Sequence, residues 1–232
     1  MSFNRQIASG GAMLAAEVVG SGDPVVFLHA GVCDRRMWRA QLDGVGASSK
    51  AIACDRRGCG ETRAEKEDFS AVADLMAVMD ATADGKPAIL VACSEGGRVA
   101  LDAVLKHPSR FCGLALVAPS VTGAPEAVYP PEAKDLMIQL KEAREAGNLD
   151  QVIAIKAHLW LDGPLSPKGR VTGQARELFL DMTAVALRSL PVGSSVDAAP
   201  AYQRLGEIYP VQVRTRKSLG EMMRKLSVTA SQ

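Results

Sequence analysis

Pro87-Ala-Ile-Leu-Val-Ala-Cys-Ser-Glu-Gly-Gly-Arg-Val-Ala-Leu-Asp-Ala-Val-Leu-Lys-His107 decides the fold. The continuous apolar run from Ala88 to Ala92 is too long for a half-exposed edge, so it reads as a central strand of a parallel sheet, buried on both faces. A sharp turn and a helix follow, with Ser94 at the apex. A turn this tight needs small residues two positions either side, and Ala92 and Gly96 supply them. That is a nucleophile elbow, which lifts a serine hydroxyl clear of the sheet. The competing reading is an ordinary helix N-cap serine.

Outward from the elbow, strands and helices alternate. Met13 to Val19 reads as a strand, Gly20 to Pro24 as a turn, Val25 to His29 as a buried strand, and Met37 to Leu42 as a helix. Lys50 to Asp55 forms the next strand. Phe69 to Ala83 carries Val72, Leu75, Met76 and Met79 at helical spacing, and Phe111 to Val117 is a further strand. Such alternation requires crossover connections and hence a mainly parallel, doubly wound α/β sheet.

The texture changes near Gly123. Three helices without an intervening strand are expected over Glu132–Ala146, Val152–Leu161 and Gln174–Leu190. A helical block inserted there would cap the carboxyl edge of the strands, where open α/β sheets bind ligands. Its Leu159, Trp160, Leu161, Leu178, Phe179 and Met182 are either cavity lining or the cap's own core, and the core reading carries more weight. The organisation expected is a core over 1–122, a helical cap over 123–195 and an incomplete return to the core over 196–232.

The 232 residues, 47% of them hydrophobic, suffice for one large α/β domain with an insertion. A formal net charge of +1 provides no global field for nucleic acid or an anionic membrane, so small molecules are the expected partners. Self-association into a homo-oligomer is compatible with this composition. The opening Met1-Ser-Phe-Asn-Arg-Gln6 has no apolar h-region, and apolar runs stop short of a membrane span, from which a cytoplasmic location is expected. The five cysteines, Cys33, Cys54, Cys59, Cys93 and Cys112, are odd in number and lack the spacing of a metal site. They are expected to be reduced, with Cys93 a small buried hydrophobe pointing away from Ser94. No metal and no cofactor is expected.

Two further motifs precede the elbow: Phe27-Leu-His-Ala-Gly-Val32, and Asp55-Arg-Arg-Gly-Cys-Gly-Glu-Thr62. The three together, over roughly Leu14 to Ile208, resemble the α/β-hydrolase superfamily and its cap-bearing esterase, lactonase and haloperoxidase-like branch. Ala30 stands where the family's strand–His–Gly motif has glycine. The resemblance therefore implies that Gly31, with Val32 as the alternative, offers one backbone amide to an oxyanion, and Glu95 the other. It also implies that the Asp55 motif shapes a turn. The chemistry implied is acyl transfer on a small ester or lactone, with Ser94 as nucleophile. Cofactor-free peroxidase chemistry would use the same residues.

A serine needs a base and an acid behind it. In the family these follow later strands, yet Tyr209 to Gln232 contains neither Asp nor His and carries five basic residues against Glu221. Arg214, Arg216 and Lys217 break a strand pattern begun at Pro210 to Val213. The expectation is a replaced or truncated carboxyl terminus, such as a frame shift after Ile208 produces, with the final strands missing and the catalytic power impaired. Of the histidines, His29 reads as structural, and His107 lies about 20 Å from Ser94 along the helix. His158 remains as a fallback base, with Asp162 one turn away to orient it. The alternative is a hydrolase-like protein that binds a small molecule without turning it over.

Overall fold

The computed structural model describes residues 2–197 and 200–208. The expectations for Tyr209 to Gln232 lie outside the described residues. The chain divides into two compact units, Met1–Ala124 with the chain from Pro191, and Pro125–Leu190.

In the first unit, β1 (Ser2–Ser9), β2 (Ala12–Val19), β3 (Pro24–Leu28), β4 (Lys50–Cys54), β5 (Arg63–Ala64), β6 (Ala88–Cys93) and β7 (Phe111–Val117) form one sheet. Its order is β1-β2-β4-β3-β6-β7, with β5 on β2. β4, β3, β6 and β7 are parallel, while β2 runs antiparallel to both β1 and β4. Among the described residues no named strand follows β7 in the chain.

The parallel strands β3, β4 and β6 bury both faces, as their unbroken apolar runs require, whereas β7, last in the sheet order, is fully buried only at Phe111. Val25 and Phe27 of β3, Ala51 and Ala53 of β4 and Val91 of β6 enter one core with Trp38 and with Leu42 of α1 (Arg39–Gly46). The Phe27 and Trp38 rings sit 5.4 Å apart and tilted by 46°. The alternate residues Val26, Leu28, Ile52, Leu90 and Ala92 enter the opposite core, beneath α2 (Ala71–Thr82) and α3 (Glu95–Lys106).

Two local expectations shift. The helix placed at Met37–Leu42 opens instead as a 3-10 turn, Arg35–Trp38, whose Arg36 amide donates to the Asp34 carboxylate, and α1 follows. β1 carries no apolar pattern because five of its first six residues are exposed at the sheet's edge; its pairing with β2 supplies the order its sequence does not.

Past Pro191 the chain returns to the first unit. Ser195 bridges Phe69, and the Asp197 carboxylate accepts from Ser70 Oγ (2.6 Å) and the Val72 amide (3.0 Å), tying this segment to the start of α2. The second unit is helical: α4 (Pro131–Glu145), α5 (Leu149–Ala157) running into a π-helical turn at His158–Asp162, and α6 (Gln174–Arg188). Leu140, Ala143, Val152, Ile155 and Leu159 form its core, whereas Trp160 is exposed. Among the described residues no helix is long and apolar enough to cross a membrane, and no cluster of His, Cys, Asp or Glu is arranged to hold a metal.

Candidate active site

Ser94 follows the last residue of β6 and precedes the first of α3, with φ 49° and ψ −115°. This is backbone that L side chains rarely adopt, and it costs about 1–3 kcal/mol. Neighbours hold it there: the Ser94 amide donates to Val117 O (3.0 Å), and its carbonyl accepts from the amides of Gly97 (2.8 Å) and Ser120 (3.0 Å). Gly96 permits the crossing, since a Cβ there would lie 2.5 Å from Leu28 O and 2.7 Å from His29 O. The Ser94 side chain makes no helix-capping hydrogen bond. That removes the N-cap reading and leaves the hydroxyl available for chemistry.

The loop after β3 supplies the second feature. A Cβ placed on Gly31 would sit 3.4 Å from the Glu95 Cβ, so this loop packs against the residue that follows Ser94. Glu95 opens α3, and the first amides of a helix have no intrahelical acceptor. The Gly31 amide donates to no backbone carbonyl among the described residues. Two donors flanking one serine can stabilise a developing oxyanion, each worth about 3 kcal/mol of barrier.

His29 fixes this loop. Its Nε2 accepts from the Arg56 amide (3.0 Å), which makes Nδ1 the protonated nitrogen, donating to Ala30 O (2.8 Å). Complete burial first, and the charge of Arg56 second, hold its pKa down to about 3. Both ring nitrogens are thus committed to structure.

The Asp55 motif closes on itself. The Asp55 carboxylate accepts from the amides of Arg35 (2.7 Å) and Glu61 (2.9 Å) and pairs with the Arg35 guanidinium. Thr62 Oγ donates to Asp55 O (2.7 Å) and accepts from the Ala15 amide (2.9 Å). Arg57 reaches Asp74 (2.8 Å), Glu67 (2.6 Å) and Ser9 O (2.8 Å), with its guanidinium 4.6 Å from the Phe69 ring centre. Every one of these groups is spent on holding the turn.

A model of the alpha/beta hydrolase family matches residues 25–216. The chain belongs to that family. Among curated relatives, this alpha/beta hydrolase is 28% identical over 139 residues to the AB hydrolase superfamily protein YisY of Bacillus subtilis, covering 56% of this chain and 52% of that protein. It is 26% identical over 129 residues to a haloalkane dehalogenase of Sphingobium indicum, covering 50% and 42%. The chain thus spans about half the length of the curated relatives it matches. The solved esterase of Exiguobacterium antarcticum superposes with a TM-score of 0.65 over 90% of this chain and 78% of that one, at 18% identity, which speaks to fold alone.

Within this alpha/beta hydrolase, the remaining histidines are accounted for separately. His107 caps the far end of α3. In the second unit, His158 is half-buried, and its Nε2 lies 3.0 Å from Ser166 O. Asp162, expected to orient it, is fully buried and engaged elsewhere: it accepts from the amides of Gly169 (2.8 Å) and Val171 (3.0 Å) and from Arg176 (3.0 Å). Burial works against its charge, but these donors outweigh it and hold its pKa at about 2. Asp162 organises the loop after α5, a role invisible to spacing because its partners lie up to 14 residues on. None of the five cysteines forms a disulfide, and Cys93 packs against the α1-side core.

Proposed function

We propose that this chain is a serine hydrolase of small esters or lactones, acting through an acyl-Ser94 ester. The observation that carries the reading is the uncapped Ser94 hydroxyl at positive φ, with Gly31 packed against the Glu95 that follows it. Ser94 Oγ attacks the carbonyl carbon, the carbonyl oxygen takes the negative charge between the two amides, and the alkoxy group leaves with a proton. Water then cleaves the acyl ester by the same route. A serine also argues against displacement at saturated carbon, the chemistry that the name of the dehalogenase relative describes. Such a step would leave a serine ether, which has no carbonyl and cannot be released through an oxyanion. A soluble cytoplasmic setting suits five cysteines of which none forms a disulfide.

A second reading, binding without turnover, is favoured by the commitment of His29 and the distance of His107: no imidazole of the first unit's described residues is free to take the Ser94 proton. A fluorophosphonate probe separates the two. Stoichiometric labelling of Ser94, absent in Ser94→Ala, supports the hydrolase; a chain that binds esters but resists labelling is a binding protein.

A further inference from the structure

The first unit encloses a cavity of about 130 Å³ whose apolar wall includes Leu14, Leu28 and Leu75 and whose polar wall includes Arg56 and Glu95. Most charges around it already have partners. Arg57 holds Asp74, Arg98 holds Glu95 (2.8 Å), and Arg35 holds Asp55. Arg56 differs. Its side chain makes no hydrogen bond or ion pair with any described residue, and its Nε is buried without an acceptor.

A buried donor left without an acceptor costs about 1–3 kcal/mol, more on a charged group. Arg56 is nevertheless anchored, because its amide is held by His29 Nε2. An unpartnered guanidinium on a residue that lines a cavity with leucine walls matches one ligand chemistry: a carboxylate, taken in a fork of hydrogen bonds, on a short aliphatic stem. The volume sets the size, since a cavity of about 150 Å³ accommodates benzene, so about six heavy atoms fit here.

We propose that this cavity is a carboxylate subsite, with Arg56 binding the anionic group of a short aliphatic acid and Leu14, Leu28 and Leu75 receiving its stem. Because Glu95, the residue after Ser94, lines the cavity, the subsite adjoins the acyl site. On the acyl-transfer reading, it selects esters or lactones that carry a carboxylate. The binding itself does not depend on that reading.

The test is calorimetric titration of the full chain with sodium butyrate at neutral pH and low salt, beside its neutral isostere butyramide. Butyrate is expected to saturate one site at millimolar concentration and butyramide to bind at least tenfold more weakly, a gap of about 1.4 kcal/mol. Arg56→Gln should lower butyrate affinity tenfold or more, Arg56→Lys should lower it less, and Ser94→Ala should bind as the parent does. Equal affinity for butyrate and butyramide overturns the proposal without any variant, as does an Arg56→Gln chain with native circular dichroism and undiminished butyrate binding. Failure of Ser94 to label with fluorophosphonate while butyrate still binds would overturn the acyl-transfer reading and leave the subsite standing.

Discussion

Gly96 crosses Leu28 so closely that a methyl group on its α-carbon would stand 2.5 Å from the Leu28 carbonyl oxygen. The contact is backbone to backbone, between the first turn of α3 and the end of β3, so no side chain can swing away to relieve it. It binds the elbow to the strand that leads into the Gly31 loop. Sequence, packing and the site therefore meet at one missing Cβ.

Gly96→Ala is accordingly expected to destabilise the chain by about 3 kcal/mol, at the upper end of overpacking costs, despite alanine's better helix propensity. Urea denaturation followed by circular dichroism measures it. A midpoint equal to or above that of the parent would mean the crossing has more slack than the geometry allows.

Ser94→Gly should move stability the other way. The apex backbone at φ 49° and ψ −115° is open to glycine but strained for a residue with a Cβ, so glycine releases strain of about 1 kcal/mol or more. Ser94→Ala keeps the Cβ and should melt near the parent. A glycine variant no more stable than the alanine one would show that the apex is relaxed in solution.

The elbow was legible because its cause is local: an unbroken apolar run, then small residues at two fixed offsets. The parallel strands were legible for the same reason, their alternate residues filling two cores. Strand β1 was not, since Phe3, Asn4 and Arg5 are exposed and owe their order to the cross-strand partners Val18, Glu17 and Ala16. The clamp of Asp197 on Ser70 spans 127 residues and leaves no periodic trace. Arg56 and Arg57 are adjacent and identical in sequence, yet Arg57 is saturated with acceptors and the Arg56 side chain has none among the described residues; only the three-dimensional positions of Asp74 and Glu67 separate them.

Asp102 carries a pH dependence. It is buried on α3, Oδ1 lacks a partner, and Oδ2 meets Arg98 at a long 3.4 Å. Burial pushes its pKa up to about 6, with Arg98 opposing and the charges of Asp197 and Glu95 adding. The folded state thus holds this proton more tightly than the unfolded chain, whose carboxyl titrates near about 3.9. Stability from this group is full below about pH 4 and is lost as pH rises through 6. Asp102→Asn should therefore remove this slope and raise stability above pH 6 by on the order of 2 kcal/mol, read from denaturation midpoints at pH 4 and pH 7. A variant that keeps the parent's pH slope would place the titration on another group.

The last expectation concerns the missing base. In the first unit's described residues, His29 has both nitrogens bound and His107 lies a full helix away, so the Ser94 proton has no imidazole to go to. Without base and acid, the oxyanion donors and binding alone sustain about 10³- to 10⁴-fold acceleration over water. Turnover of short p-nitrophenyl esters should be correspondingly weak. An imidazole supplied from solution can take the proton during attack where no histidine of the first unit's described residues does, so added imidazole should raise the rate of the parent beyond the sum of the protein and imidazole rates. Ser94→Ala should show only that sum, because the solution reaction of imidazole with the ester needs no serine. Efficient turnover without added imidazole, abolished by Ser94→Ala, would mean that a base reaches Ser94 from elsewhere in the chain. His158→Ala would then be the next variant to measure.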